Sequence, residues 1–307
     1  MMDFILLLAG AACAAIGGEL FVRGIVGIAL WARISTGIIA ATFAAFATSS
    51  PELSVSVTAA LAGTPQIALG DALGSNIVNV GLILGIALLI APLQAPKDAF
   101  KRDFPVALLV PILLAVLAQD GEISRMDGAI LLGLFTVWIV VMVVEVRRQR
   151  SAAAAVLGEK QHRRSLIESF TGMIFLVLSG KLIVSGAKGI SAFYGIDPFI
   201  VGATLVAIGT SAPELATVVI SRLRGHDEVG LGTILGSNIF NGLFIVAIAA
   251  IINPIPINWA EVSLGLIFGL ITSVFLFPLK KGVIEKRRGV LLVVLYGTYT
   301  AVLLQRM

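Results

Sequence analysis

The sequence predicts an all-α polytopic membrane protein with ten transmembrane helices in two inverted five-helix repeats. Of its 307 residues, 58% are hydrophobic and only 13% are charged, whereas soluble globular chains are roughly 45–50% apolar and about 25% charged. Apolar runs long enough to cross a bilayer recur along the whole chain, and one half of the sequence resembles the other at a constant offset. This composition argues against a water-soluble enzyme and against a disordered chain.

Ten apolar segments account for almost the whole sequence, and a spanning helix needs roughly 20 such residues. The backbone must satisfy its own hydrogen bonds in lipid, so each segment is predicted to be helical. The fourth is short, and Pro105 and Pro111 interrupt it. The first lacks the basic start of a signal peptide and is taken as a span. The segments are 3–30, 36–62, 67–91, 104–118, 126–146, 165–192, 198–221, 229–252, 260–278 and 289–305.

The basic residues predict how these spans face the membrane. Seventeen of the 22 Lys and Arg residues lie in the loops that follow the odd-numbered spans, and only Arg125 and Arg306 lie on the opposite side. Arg23, Lys181 and Lys188 lie inside spans. Because cytoplasmic loops carry the excess of Lys and Arg, both termini are predicted to face outside.

The chain repeats itself at a constant spacing, the repeat offset, which takes Ile38 to Ile200. The segment Ile38–Val80 aligns without gaps to Ile200–Gly242, with 20 identities in 43 pairs. The sequence therefore divides into a first repeat, 1–145, a cytoplasmic linker, 146–162, and a second repeat, 163–307. Each repeat holds five spans, an odd number, so the second enters the membrane from the opposite side. Inverted repeats of this kind are typical of secondary transporters, whose site lies near the midplane between the halves.

Each repeat places a glutamate directly after a proline inside an apolar span, as Pro51–Glu52 and Pro213–Glu214. Proline lacks an N–H and clashes with the carbonyl four residues earlier, so a kink with free carbonyl oxygens near Thr48 is expected, and likewise in the second repeat. A carboxylate at membrane depth marks an ion pathway or a functional site by default. The structural alternative is a glutamate paired with a buried base, for which Arg23, Lys181 and Lys188 are available.

Two carboxylates brought together repel unless they share a cation or a proton, and Ca²⁺ takes 6–8 oxygen ligands. Hydroxyl and amide side chains at helical spacing could supply further oxygens. Such groups in membrane helices more often hydrogen-bond across helices, but their repetition beside the glutamates favours a site. They are Thr48, Ser49, Ser75 and Asn79 in the first repeat and Thr210, Ser211, Ser237 and Asn241 in the second.

Other charges inside the spans give weaker signals. Glu19 and Arg23 are four residues apart and most simply pair with each other. Asp71 lies one turn before Ser75. It could line an outer vestibule, but the preferred interpretation is that it caps the start of its helix.

The repeated motifs resemble those of the sodium/calcium exchangers of the cation/Ca²⁺ antiporter superfamily. The motifs are Ala47–Leu53 (ATSSPEL) with Gly74–Asn79 (GSNIVN), and Gly209–Leu215 (GTSAPEL) with Gly236–Asn241 (GSNIFN). The resemblance implies a ten-helix fold in which the first and sixth spans slide to switch access. It also implies a ligand set. Ca²⁺ would be bound by Glu52 and Glu214 with backbone oxygens of Thr48 and Thr210, Na⁺ by Ser49, Ser75, Ser211 and Ser237 with carbonyls of Ala45 and Ala207, and Asn79 and Asn241 would flank the middle site.

The expected function is electrogenic exchange of Na⁺ for Ca²⁺ by alternating access, with three Na⁺ per Ca²⁺ implied by the resemblance. Asn241 stands where some relatives carry aspartate, which argues against K⁺ dependence. An H⁺/Ca²⁺ or other divalent cation antiporter using the same glutamates is the nearest alternative, and an intramembrane hydrolase or a passive channel is less expected. No enzyme activity, cofactor, nucleic-acid partner or obligate protein partner is expected. Ca²⁺ and Na⁺ are the expected substrates. The protein is expected to lie in the lipid of a prokaryotic cell (inner) membrane.

Overall fold

The fold is seen in a computed structural model that describes residues 2–31, 45–95, 97–153, 162–223, 227–278 and 282–305. Helices fill most of these ranges, and short strands lie in four of the loops. The described helices are α1 Met2–Trp31, α2 Ala45–Thr48, α3 Ser50–Leu61, α4 Pro65–Ile77, α5 Gly85–Ile90, α6 Lys97–Leu117, α7 Arg125–Ala153, α8 His162–Tyr194, α9 Pro198–Val201, α10 Ala207–Thr210, α11 Ala212–Leu223, α12 Asp227–Ile239, α13 Val246–Ile252, α14 Trp259–Leu276 and α15 Lys286–Leu304.

Seven helices of the described chain are long and apolar enough to cross a membrane, and a bent pair, Pro198–Thr210 with Ala212–Val219, would make an eighth. The protein is therefore an all-helical membrane protein. Part of the second predicted span lies in residues 32–44, outside the described residues. The number ten stays a prediction. The seven are Pro65–Ile90, Lys101–Asp120, Arg125–Val144, Arg164–Tyr194, Gly230–Ile252, Trp259–Leu276 and Lys286–Leu304.

Three helical stretches widen to π-helical hydrogen bonding, at Val78–Leu84, Gly202–Val206 and Phe240–Ile245. The first and third begin at equivalent positions of the two repeats, in the continuations of α4 and α12. Local π-helix is rare and often lies at functional sites. The sequence pattern did not predict these segments.

The helices that carry the glutamates break at a serine, where the sequence predicted a proline kink. Ser49 has φ −82° and ψ 9°, and Ser211 has φ −77° and ψ 8°. Pro51 and Pro213 then lie in the first turn of the next helix, where the missing N–H costs little. In the second half the two helix pieces differ in direction by 42°. The prediction of a kink near these residues is right, but the proline follows the break.

The fourth predicted span is longer than expected. Helix α6 runs from Lys97 to Leu117 with Pro105 and Pro111 inside it. The prolines therefore do not end the helix, and the interruption predicted there is wrong.

The most buried helices of the described part lie at the centre of the molecule. The membrane-spanning windows of Pro65–Ile90 and Gly230–Ile252 are 72% and 83% buried, against 22–44% for the other five spans. Helix α1 packs along α8, with glycines at the contact. A Cβ on Gly17 would lie 2.8 Å from Cβ of Phe175. Small residues at such contacts allow helices to approach closely in lipid.

Four two-residue strands join loops of the two halves. Strand β1 (Leu93–Gln94) pairs antiparallel with β4 (Val283–Ile284), and β2 (Glu122–Ile123) pairs with β3 (Ile255–Pro256). The repeat offset takes β1 to the position of β3. It also takes β2 to within one residue of β4. The repeat therefore relates the β1–β4 pair to the β2–β3 pair.

Candidate ion-binding site

The site begins with two glutamates in the first turns of α3 and α11. Glu52 and Glu214 are both fully buried, and the N-terminal ends of helices favour negative charge. The described ion pairs are Arg23–Glu19, Arg102–Asp103, Arg164–Glu168 and Arg222–Asp227. None of them involves either glutamate, so within the described residues the structure gives no support to the alternative of a glutamate neutralised by a buried base.

The basic residues considered for that role are engaged elsewhere or exposed. Arg23 pairs with Glu19, as the four-residue spacing predicted. The Nζ of Lys188 donates to the carbonyl of Ala62 at 3.1 Å, and Lys181 is exposed. The two buried carboxylates therefore lack a counter-charge among the described side chains.

The carboxylate oxygens of the two glutamates are mostly without hydrogen-bond donors. The Oε1 of Glu214 accepts from Ser49 Oγ at 3.3 Å and from Ser237 Oγ at 3.2 Å. Its Oε2 and both oxygens of Glu52 have no hydrogen-bond partner among the residues that the structure describes. Because a buried charge without partners is costly, this is the arrangement expected where a cation completes the site.

Hydroxyls connect the two halves on both sides of the glutamates. Thr48 Oγ1 lies 3.3 Å from Ser237 Oγ, and Ser75 Oγ lies 3.4 Å from Thr210 Oγ1. The repeat offset interchanges these two contacts. All four hydroxyls are fully buried.

Carbonyl oxygens of the two predicted alanines lie in the same clusters. Thr48 Oγ1 donates to the carbonyl of Ala45 at 3.2 Å, and Ser75 Oγ donates to the carbonyl of Ala207 at 3.5 Å. The hydroxyl of Ser211 is buried and has no partner within the described chain. The structure thus buries every residue of the predicted ligand set and brings most of them into contact across the halves. Their role as ligands stays a prediction.

Four asparagines form a crossed network where α4 and α12 pass into their π segments. Asn79 Nδ2 donates to Asn238 Oδ1 at 3.0 Å, and Asn241 Nδ2 donates to Asn76 Oδ1 at 3.1 Å. The amides of Asn76 and Asn238 also donate to each other's backbone carbonyls at 3.1 and 3.3 Å. The Oδ1 atoms of Asn79 and Asn241 remain buried without a donor in the described chain. Sequence reasoning assigned no positioning role to Asn76 or Asn238, although their repetition at the same offset was a signal.

Asp71 is not a helix cap, and the preferred interpretation from the sequence is wrong. Helix α4 begins at Pro65, so Asp71 lies in its second turn and is fully buried. Its Oδ1 accepts from Thr210 Oγ1 at 3.0 Å and from Ser75 Oγ at 3.3 Å. Asp71 therefore belongs to the hydroxyl cluster of the site. A single acidic residue inside an apolar span was the signal that could have identified it.

The site is rich in neutral oxygens and does not concentrate acids or imidazoles. In the described ranges, no group of three or more His, Cys, Asp or Glu side chains is placed to hold a metal ion. The pattern suits an ion that is held by a few carboxylates together with hydroxyl, amide and carbonyl oxygens. Ca²⁺ and other hard cations prefer such ligands.

Comparison with known proteins gives a consistent assignment. The sodium/calcium exchanger protein family matches residues 2–144 and 165–305. The chain is 36% identical to the CaxA protein of Alkalimonas amylolytica, a putative antiporter, over 242 residues, 76% of each chain. It is 30% identical to the sodium/calcium exchanger MaX1 of Methanosarcina acetivorans, over 98% of each chain. A solved structure of the sodium-calcium exchanger NCX_Mj, soaked with 100 mM Na⁺ and 10 mM Sr²⁺, is 31% identical and superposes with a TM-score of 0.70 over 98% of each chain.

Proposed function

Because the chain belongs to the sodium/calcium exchanger family, a family of membrane transporters, we propose that it exchanges Na⁺ for Ca²⁺ by alternating access. The observation that carries this proposal is the pair of fully buried glutamates. Three of their four carboxylate oxygens have no hydrogen-bond partner in the described chain. Glu52 and Glu214 bind Ca²⁺ together with backbone oxygens of Thr48 and Thr210, and the serine hydroxyls with the carbonyls of Ala45 and Ala207 bind Na⁺.

Charge counting explains why the exchange is coupled. The empty glutamate pair carries two negative charges, which one Ca²⁺ or two Na⁺ neutralise. A half-filled pair would have to expose an uncompensated carboxylate to an apolar barrier, which is costly. The carrier therefore changes its access only when it is loaded, and leak is suppressed.

Net charge moves if three Na⁺ are exchanged for one Ca²⁺, the ratio implied by the family resemblance. No K⁺ is needed, because the position where some relatives carry an acid is the neutral Asn241. The hydroxyl clusters beside the glutamates favour Na⁺ over H⁺ as the coupling ion, since a proton needs only one oxygen and the clusters offer several.

The inverted repeat is the structural basis proposed for alternating access. The hydroxyl contacts, the asparagine network and the strand pairings each interchange under the repeat offset, which supports two equivalent halves. With ten spans, the loops rich in Lys and Arg face the cytoplasm and both termini face outside. The membrane is proposed to be the cell (inner) membrane of a prokaryote, which the name of a relative, the inner membrane protein YrbG of Escherichia coli, supports.

The test is Ca²⁺ uptake by proteoliposomes that hold the full chain. An outward Na⁺ gradient should drive uptake, a pH gradient of either direction should not, and adding or omitting K⁺ should make no difference. Glu52→Gln should lower Na⁺-driven uptake at least about 100-fold, since loss of one charged ligand in a desolvated site is worth several kcal/mol. The matched control is Glu19→Gln, an exposed acid paired with Arg23, which should transport normally.

Two outcomes would contradict the proposal. Normal Na⁺-driven uptake by Glu52→Gln would remove the glutamate pair from the mechanism. Uptake driven by a pH gradient and indifferent to Na⁺ would favour the H⁺/Ca²⁺ alternative.

A further inference from the structure

Asp71 is a third buried carboxylate that the ligand set of the proposed function does not use. It is fully buried in α4. Its Oδ2 has no hydrogen-bond partner within the described ranges. Asp71 also interacts electrostatically with Glu52 and Glu214. Keeping such a group in an apolar span is costly and by default indicates a function.

The surroundings of Asp71 are those of a small cation site. Its Oδ1 is 3.0 Å from Thr210 Oγ1 and 3.3 Å from Ser75 Oγ. The carbonyl of Ala207 lies 3.5 Å from Ser75 Oγ and 3.4 Å from Thr210 Oγ1. One carboxylate, two hydroxyls and one carbonyl therefore meet in a single buried cluster. Each hydroxyl now donates a hydrogen bond, but it can turn and offer a lone pair instead.

We propose that Asp71 is the charged ligand of a Na⁺ subsite formed with Ser75, Thr210 and the carbonyl of Ala207. This proposal rests on the proposed function and adds a residue to its ion set. A single negative charge among neutral oxygens matches a monovalent cation, whereas Ca²⁺ requires more charge and more ligands. The three acids also do not form one metal-binding group in the described chain. In this proposal the glutamates hold the divalent ion and Asp71 holds a separate monovalent ion.

In this proposal the two halves differ in the charge of one site residue. The repeat offset takes Asp71 to Thr233, which is fully buried and neutral. The corresponding cluster around Ser237 and Thr48 thus has no acid at this position. One Na⁺ subsite is anionic and its counterpart is not, although most other residues of the site are paired by the repeat.

Asp71 also changes the charge balance of the loaded carrier. With the two glutamates alone, a third Na⁺ leaves a positive charge buried in the membrane. With Asp71 included, three Na⁺ neutralise three carboxylates. The acid therefore gives the third Na⁺ a compensating charge, so the carrier is neutral with three Na⁺ and holds one negative charge at Asp71 with one Ca²⁺.

The test compares Asp71→Asn with wild type in proteoliposomes loaded with radioactive Ca²⁺. Two rates are measured, namely Ca²⁺ efflux against external Na⁺ concentration, and Ca²⁺–Ca²⁺ exchange with no Na⁺ present. Asp71→Asn should raise the half-saturating Na⁺ concentration about tenfold, because the half-saturating concentration averages the loss at one subsite over three Na⁺ ions, to about 1.4 kcal/mol for each ion. It should also lower the Hill coefficient for Na⁺ by about one. Ca²⁺–Ca²⁺ exchange should stay within about twofold of wild type. The substitution removes a Na⁺ ligand and leaves the glutamates that bind Ca²⁺ unchanged.

Two further variants make the result decisive. Glu19→Gln removes an exposed acid that pairs with Arg23 and should leave the Na⁺ curve unchanged. Asp71→Glu keeps the charge and should keep the wild-type Hill coefficient, even if the half-saturating concentration shifts. It also serves as the second probe if Asp71→Asn does not fold.

The outcomes separate this proposal from the proposed function. If wild type exchanges Ca²⁺ for Na⁺ and Asp71→Asn gives the same Na⁺ curve, the Asp71 subsite is wrong and the exchanger stands. Equal loss of Na⁺-driven and Ca²⁺–Ca²⁺ exchange in folded Asp71→Asn and Asp71→Glu would assign Asp71 a structural role and also overturn the subsite. If Ca²⁺ movement by wild type is indifferent to Na⁺, the proposed function itself fails.

Discussion

Asn238 orients a neighbouring amide, and this role can be tested at the scale of a single residue. Its Oδ1 accepts the Nδ2 of Asn79 at 3.0 Å, which leaves the Oδ1 of Asn79 buried and without a donor in the described chain. We predict that an amide fixed in this way presents its oxygen to a cation. Asn76 holds Asn241 in the corresponding manner at 3.1 Å.

Substitution of Asn238 should therefore weaken Ca²⁺ binding without removing a ligand. Asn238→Ala should raise the half-saturating Ca²⁺ concentration about tenfold, because losing one buried hydrogen bond that orients a ligand is worth about 1 kcal/mol or more. The measurement is Ca²⁺ dependence of uptake into Na⁺-loaded vesicles. Asn253→Ala, whose amide donates to the carbonyl of Ala60, is the control and should keep the wild-type value. An unchanged Ca²⁺ curve in Asn238→Ala would show that Asn79 needs no such support.

At the scale of single residues, the sequence predicted the burial of the two glutamates but not the side chains that contact Asp71. Burial of Glu52 and Glu214 followed from acidic residues in apolar spans, and the structure confirms it. The role of Asp71 was missed because a polar residue near a helix start is most simply a cap. Which hydroxyl faces Asp71 depends on how α4 meets the segment that carries Thr210, and no local pattern encodes that packing.

Helices α1 and α8 form a contact that glycine keeps close. A Cβ on Gly17 would come within 2.8 Å of Cβ of Phe175 and 3.0 Å of the carbonyl oxygen of Gly172. Backbone atoms cannot move aside as a side chain can, so even one methyl group must separate the helices. If the two helices slide during transport, as the family resemblance implies, this contact controls the rate.

Gly17→Ala should slow exchange more than it weakens ion binding. Overpacking of a close contact costs roughly 1–3 kcal/mol, so the thermal stability of the detergent-solubilised protein should fall. The maximal exchange rate should fall with it, while the half-saturating Ca²⁺ concentration stays constant. Gly133→Ala is the matched control, since a Cβ there meets no atom within 4 Å. Equal rates for Gly17→Ala and wild type would mean that α1 and α8 need not approach this closely.

Helix positions were predictable, whereas their internal irregularities were not. The predicted spans are helical over most of the residues that the structure describes, although those around Ser49 and Ser211 are broken, because a backbone in lipid must form its own hydrogen bonds. The breaks at Ser49 and Ser211 and the π segments arise from packing between halves. The prolines indicated the region of each helix break, but the break lies at the serine two residues earlier. Proline is favoured in the first turn of the helix that follows.

At the scale of the whole molecule, the proposed coupling ratio makes exchange sensitive to voltage. If three Na⁺ leave a vesicle for each Ca²⁺ that enters, one positive charge leaves per cycle. An inside-positive potential then favours Ca²⁺ uptake, by about 2.3 kcal/mol for each 100 mV, or roughly 50-fold in the Ca²⁺ ratio at equilibrium. Vesicles clamped with valinomycin and K⁺ gradients of either direction, with equal K⁺ as the control, provide the measurement. The same final Ca²⁺ ratio at both polarities would mean electroneutral exchange.

The division into two halves was readable in the sequence because 20 of 43 aligned positions are identical. The contacts between the two halves could not be predicted from the sequence. The strand pairs lie in loops without a strong pattern, and a two-residue strand needs its partner to form. The inequality of Asp71 and Thr233 was visible in the alignment, but only the structure places Asp71 against Thr210 and Ser75.

The strand pairings restrict how the molecule can change shape. One crossbar, β1 with β4, fastens the loop after α5 to the loop before α15, and the other, β2 with β3, fastens the loop after α6 to the loop after α13. Neither crossbar includes α1 or α8. Separation of the two halves would break the hydrogen bonds of both crossbars. Sliding of α1 with α8 along the other helices would leave those hydrogen bonds intact. We therefore predict that the strand pairings hold the two halves together while α1 and α8 move during transport.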